Sequence, residues 1–222
     1  MLERWLPGVP QGVDPDRFAA GSRLAGEVDC YVLDDGFQHL PLARDLDIVL
    51  VDATAPFGSG WCPPGGRLRE PVSALGRAGM VVITRADLVS RESLGDTMRT
   101  IRAHATAPVV TGRFKPELSG DWTGRDVFAA CGIGNPEAFY RTIEQLGARV
   151  ARSRAFRDHH AYTAADAAAL AAEELPVVVT EKDAVKLEPL WPGARDLHVL
   201  RIEFEPMDGA GALAAAFDAL CG

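Results

Sequence analysis

The sequence predicts an α/β fold: a doubly wound, mainly parallel sheet, with a smaller α/β part toward the C-terminus. Two observations carry that expectation. Short β-branched apolar runs recur along the chain, and stretches of helix-like spacing fall between them, which is the pattern of a parallel sheet covered on both faces. The runs are continuous rather than alternating, as strands buried on both sides require.

In chain order the strand candidates are DCYVLD (29–34), DIVLVD (47–52), GMVVIT (79–84), APVVTG (107–112), DVFAACG (126–132), PVVVT (176–180) and LHVLRIEF (197–204). Helical candidates fall near 15–25, 90–105, 135–147, 163–174 and 208–220. Stretches 56–71 and 113–125 are rich in Gly, Pro and Trp and read as irregular. The second separates an expected nucleotide-type core, residues 1–115, from a C-terminal α/β part, residues 116–222. The chain has no internal repeat and no low-complexity tract.

Composition excludes several function classes. Of the 222 residues 47% are hydrophobic and 24% charged, averages of a folded globular chain rather than a disordered one. A formal net charge of −8 repels polyanions, so no nucleic-acid partner is expected and any phosphate site must draw on local basic residues. The four cysteines, Cys30, Cys62, Cys131 and Cys221, form no C-x-x-C pair, which disfavours a zinc ribbon or a redox motif. No apolar run is long enough to span a bilayer, and MLERWLPG lacks a signal-peptide pattern, so a cytoplasmic location is expected.

Ligands of open α/β sheets bind beyond the carboxyl ends of the strands, so chemistry is expected just after each apolar run. The run ending in Asp34-Asp35 looks like a Walker B element, a carboxylate placed to hold Mg²⁺ or its waters beside nucleotide phosphates. Asp-Asp-Gly also suits a plain turn, but Gln38 and His39 follow, and a turn needs neither. Thr84-Arg85-Ala86-Asp87 sits where many nucleotide-binding folds place an Asn-Lys-x-Asp element, which makes Asp87 a candidate contact to the base; capping of the following helix is its alternative role. Loop 58–71 combines glycines with Arg67, Arg69 and Glu70, and guanidinium forks suit phosphate oxygens, although a solvated loop would look the same. Arg17 is a surface arginine until a partner is found. Asp158-His159-His160 follows a strand-like run, 149–156, and offers a carboxylate that can orient an imidazole for acid/base work; structural capping is the alternative. Adjacent histidines share no face, so a joint metal site is disfavoured.

Taken in order, Asp34-Asp35-Gly36-Phe37-Gln38-His39, Leu42 to Val49 (LARDLDIV), Leu68-Arg69-Glu70-Pro71, Gly132-Ile133-Gly134-Asn135-Pro136, Asp158-His159 and Thr180 to Lys186 (TEKDAVK) resemble the signature of the tetraacyldisaccharide 4'-kinases. The resemblance runs through nearly the whole chain. It implies a sheet of the P-loop NTPase type and transfer of the ATP γ-phosphate to a lipid A precursor, a tetraacyl glucosamine disaccharide 1-phosphate, at the cytoplasmic face of the inner membrane. By matching motif, Asp34 and Asp35 would serve Mg²⁺ and ATP, and His39 would line the catalytic site. Asp158 and His159 would assist proton transfer, while Arg17, Arg69 and Glu70 would hold the phosphorylated sugar. The family also carries a membrane-anchoring segment, a G-x-x-x-x-G-K-[ST] loop and an acidic base ahead of the matching region. The 222 residues contain no such loop, and Leu40-Pro41 stands where basic residues are expected. The expectation is therefore of a kinase core truncated at its N-terminus by a late start, fragmentation or decay, and the alternative function is a non-catalytic nucleotide-binding or interaction module.

Overall fold

The computed structural model describes residues 6–158, 160–193 and 196–221. Its contacts divide the chain into two compact units, one of residues 10–114 with 204–222, the other of 115–203 with the N-terminal nine residues. The chain passes between them in β3 and again in β7.

The first unit opens with α1 (Arg17–Arg23), whose N-cap Asp16 accepts hydrogen bonds from the amides of Phe18 and Ala19. Strands β1 (Ile48–Asp52) and β2 (Met80–Thr84) pair in parallel, Ile48 against Met80 through Asp52 against Thr84. Strand β3 (Val109–Glu117) continues the parallel order at Val81–Val109. Side chains of β2 alternate between two cores, as a pleated strand requires. Val81 and Ile83 pack with Val51 and with Ile101 of α2 (Arg91–His104), while Met80, Val82 and Val110 pack with Leu213 and Ala216 of α6 (Ala210–Cys221). The last stretch of the chain thus closes the second face of a sheet begun at residue 48. The later half of β7 (Leu197–Asp208) lies beside β3, with Glu205 paired to Arg113 and Phe204 edge-on to Phe114.

The second unit repeats the plan with β4 (Asp126–Cys131), β5 (Arg149–Ala155), β6 (Val177–Thr180) and the first half of β7, all parallel in the order β5-β4-β6-β7. Val127, Ala129 and Cys131 face Phe139 and Ile143 of α3 (Pro136–Gln145); Phe128 and Ala130 face Leu170 of α4 (Ala164–Ala171) and Leu187 of α5 (Glu181–Leu187). Both units are therefore doubly wound, as the alternation of runs implies.

One expected strand is absent. Residues 29–34 form bends and a turn, with Val32 91% exposed and Tyr31 48% exposed. An apolar run becomes a strand only where a neighbour takes up its amides and carbonyls, and among the described residues none pairs with this one. Asp34-Asp35 accordingly sits in a turn rather than at a strand tip.

Candidate functional site

In the first unit the structure brings residues from two other segments to the Asp34-Asp35 turn. Arg17, the first residue of α1, donates to the main-chain carbonyls of Asp35 at 3.3 Å and Asp34 at 3.4 Å. Arg69 forms an ion pair with both carboxylate oxygens of Asp35, 2.6 Å to Oδ1. This guanidinium holds the Asp35 carboxyl below the usual carboxylate range. Asp35 adopts φ +52°, a left-handed conformation uncommon for a residue other than glycine. The Asp34 side chain is exposed. Glu70 does not join this pair directly. It binds Arg77 at 2.8 Å, and the Arg77 guanidinium stacks 4.5 Å over Phe37, so Glu70 secures the segment just after the acidic turn.

Two devices fix these loops. Arg44 bonds Asp47 through two nitrogens, at 2.7 and 3.2 Å, and also donates to the carbonyls of His39 and Leu42 at 2.6 and 2.8 Å. The Arg-x-x-Asp spacing of LARDLD thereby pins the half-buried His39 segment to the start of β1. Gly66 lets loop 58–71 fold on itself, since a Cβ there would fall 2.1 Å from the Trp61 carbonyl oxygen.

A second cluster caps the parallel strands β1 and β2. Asp52, the last residue of β1, accepts from the Thr54 amide and hydroxyl at 2.9 and 2.7 Å and forms an ion pair with Arg85. Burial disfavours its charge, but the Thr54 hydrogen bonds and Arg85 outweigh it and hold its pKa below the ordinary value. Asp52 ends the apolar run 47–52 and was given no role from the sequence. The signal was its place at the end of a genuine strand, which Asp34 lacks. Asp87 is exposed within a short 3₁₀ turn, Ala86–Leu88, and the cap of α2 is Ser90, whose hydroxyl accepts from the Ser93 amide at 3.2 Å. The capping role weighed for Asp87 is thus filled by another residue.

In the second unit the hub is Asp183, fully buried in the first turns of α5. Its carboxylate accepts from the Gly132 amide at 3.1 Å, the Tyr162 hydroxyl at 3.0 Å and the Thr180 hydroxyl at 2.6 Å. Gly132 must approach closely, as a Cβ there would lie 3.1 Å from Asp183 Oδ1. Burial and the adjoining carboxylate push the Tyr162 pKa far upward, so its hydroxyl stays a donor. Lys186, one turn on, donates to the His160 carbonyl at 3.1 Å, and His160 Nε2 lies 3.2 Å from Asp166. Asp158 is exposed in the turn so anchored, near Gly134. His159 lies outside the described residues. Burial pushes the Cys131 thiol up to about 11, which leaves it unreactive. Among the described residues no group of three or more His, Cys, Asp or Glu could hold a metal ion by itself, and no helix is long and apolar enough to cross a membrane.

Residues 1–221 match the profile of the family described as Tetraacyldisaccharide-1-P 4'-kinase. The chain belongs to that family. Among tetraacyldisaccharide 4'-kinases it is 44% identical to one from Anaeromyxobacter dehalogenans over 97% of its own length and 62% of the relative's, and 39% identical to one from Pseudomonas aeruginosa over 96% and 61%. The chain thus spans somewhat under two thirds of the length of these kinases. Its fold is that of a crystal structure of LpxK from Aquifex aeolicus in complex with ATP, with a TM-score of 0.68, 23% identity, and coverage of 94% of this chain and 63% of that one.

Proposed function

We propose that this chain carries much of the transfer machinery of a tetraacyldisaccharide 4'-kinase, moving the γ-phosphate of ATP to the 4'-hydroxyl of a tetraacyl glucosamine disaccharide 1-phosphate at the cytoplasmic face of the inner membrane. The observation that carries this reading is the convergence of Arg17 and Arg69 on Asp34-Asp35 in a chain matched by the family along nearly its whole length. In the transfer the 4'-oxygen bonds to the γ-phosphorus, the bond to the β,γ-bridging oxygen breaks, ADP departs, and the hydroxyl proton passes to a base. Such chemistry depends chiefly on positioning and charge neutralisation, which clustered arginines and carboxylates supply.

The residues fit Mg²⁺ in the manner that ion prefers, one or two carboxylates with the remaining positions left to water and phosphate. Asp34 is exposed and suited to hold it; Asp35 would exchange Arg69 for the metal, which frees that guanidinium for a sugar phosphate. Bound there, the ion would neutralise the β- and γ-phosphate oxygens. Arg17 keeps the turn in shape through main-chain contacts, His39 lines the site, and Glu70 orders the adjoining loop through Arg77 and Phe37. Asp158 and His159 are assigned to proton transfer by motif alone.

The test is a hybrid in which this chain replaces the matching region of the Anaeromyxobacter dehalogenans kinase, assayed with Mg-ATP and the tetraacyl disaccharide 1-phosphate. Turnover is expected, with His159→Ala lowering it roughly 10²–10⁴-fold if that imidazole moves the proton. The 222 residues alone, with no glycine-rich lysine loop to cradle phosphates, are expected to transfer nothing measurable. An inactive hybrid beside an active parent overturns the reading.

A further inference from the structure

We infer that Lys186 and His160 are positioning residues of the phosphate transfer: together they set the turn at residues 157–160, and with it the Asp158 carboxylate, for proton transfer. This rests on the proposed kinase activity, in which neither residue otherwise has a part.

The turn follows β5 after Phe156, whose amide donates to the Cys131 carbonyl at 2.8 Å, and it closes where the His160 amide donates to the Arg157 carbonyl at 3.0 Å. It packs on Gly132. A Cβ there would fall 3.2 Å from the Arg157 carbonyl oxygen, so a larger residue would push the turn outward. A Cβ on Gly134 would lie 3.6 Å from Asp158 Oδ2, which sets the carboxylate over the same loop. Lys186, from α5, donates through Nζ to the His160 carbonyl at 3.1 Å, a charge-assisted bond made by a half-buried ammonium. The His160 imidazole is held on three sides. It stacks on Phe156 with centroids 4.8 Å and planes 26° apart, meets Tyr162 edge-on at 4.9 Å, and places Nε2 3.2 Å from Asp166. Phe156 in turn carries the Arg154 guanidinium 4.5 Å over its ring, and Tyr162 is tied to Asp183.

These anchors grip the ends of the turn, whereas Arg157 and Asp158 are exposed. A loop fixed by several side-chain contacts while its outward residues stay in solvent is built to present those residues, as binding and catalytic loops are on a rigid scaffold. A general acid or base acts only within hydrogen-bond reach of its proton, and a displacement of about 1 Å can cost about 10²-fold in rate. Asp183 holds Gly132, Tyr162 and Thr180 and leaves the backbone of the turn to Lys186, so two residues of TEKDAVK divide the work between hub and turn. Lys186 and His160 act through the turn and touch no substrate.

Turnover, KM and melting temperature of the hybrid, measured on the same samples, test this together with amide exchange in the 222-residue chain. Lys186→Met keeps the aliphatic stem and loses the ammonium, so kcat is expected to fall roughly 10- to 100-fold with KM for ATP within about twofold, because orientation is lost and binding is not. Lys186→Arg restores a donor and should recover most of kcat. His160→Phe keeps the ring stack without the Asp166 contact and should lower kcat about fivefold. In the 222-residue chain Lys186→Met should speed exchange of the His160 amide while the Gly132 amide, held by Asp183, stays protected. A purely structural role would lower the melting temperature of Lys186→Met and leave kcat of the folded fraction unchanged, and that result overturns the proposal. So does a kcat loss that Lys186→Arg does not relieve, or a His160 amide whose exchange ignores Lys186→Met. A wild-type hybrid without turnover is distinct from all of these, since the kinase reading then fails before any substitution and takes the transfer role of both residues with it.

Discussion

The Asp34-Asp35 turn and the Asp183 hub are both carboxylate motifs, yet they sit in opposite environments. Asp35 is exposed and answered by a formal charge, Arg69, across an ion pair whose side chains are 66% and 60% exposed. Asp183 is fully buried and answered by an amide and two hydroxyls, with no cation among its hydrogen-bond donors. An exposed pair exchanges partners at little cost, as a site that admits a metal or a phosphate must. A buried carboxylate that accepts three hydrogen bonds cannot be disturbed without leaving several donors unsatisfied. The difference suits the first to the chemistry proposed for it and the second to scaffolding, although both belong to family motifs of similar recognisability.

The largest expected effect is therefore at the hub. Asp183→Asn places an amide N–H₂ among groups that already donate and should cost about 3 kcal/mol of stability, read from chemical denaturation. Tyr162→Phe removes a single donor and should cost about 1 kcal/mol. A loss for Asp183→Asn no greater than for Tyr162→Phe would remove the hub from the account.

Next comes Arg44. It is only 13% exposed and serves Asp47, His39 and Leu42 together, so Arg44→Ala should cost about 2 kcal/mol and release the His39 segment, visible as faster amide exchange there.

The smallest effect belongs to the exposed pair. Arg69→Ala should leave the unfolding midpoint essentially unchanged while the Asp35 carboxyl titrates at a higher pH, toward its ordinary value, by carbon-detected NMR. The sign follows from a folded-state pKa lowered below the unfolded one. The pair's contribution is present above the unfolded value and disappears as pH falls through the lowered one. An Asp35 titration that ignores Arg69→Ala would break the contrast from the other side.

Much of the scaffold was legible because buried parallel strands need continuous apolar runs: IVLVD, MVVIT and VVVT are strands within a residue or so of where they were expected. The same rule misled at residues 29–34, since an apolar run specifies only that a strand could be buried, not that a neighbour is there to pair with it. The return of residues 204–222 to the first unit was invisible for a related reason, as the apolar face of α6 does not say which sheet it covers. At the candidate site, Asp34, Asp35, Arg17 and Arg69 were readable as types suited to phosphate and metal. Their grouping was expected only through the family resemblance, because the loop contacts that make it leave no periodicity in the sequence.

The most direct test sets the two carboxylates side by side in the active hybrid enzyme, measuring turnover and melting temperature on the same samples of Asp34→Asn and Asp183→Asn. Asp34→Asn is expected to lose turnover about 10²-fold or more at an unchanged melting temperature, because it removes a charge that the transferring phosphate needs and no packing. Asp183→Asn is expected to melt several degrees lower while the fraction that remains folded still turns over. Near-normal turnover in Asp34→Asn, or an unchanged melting temperature in Asp183→Asn, would contradict the division between a chemical carboxylate and a structural one.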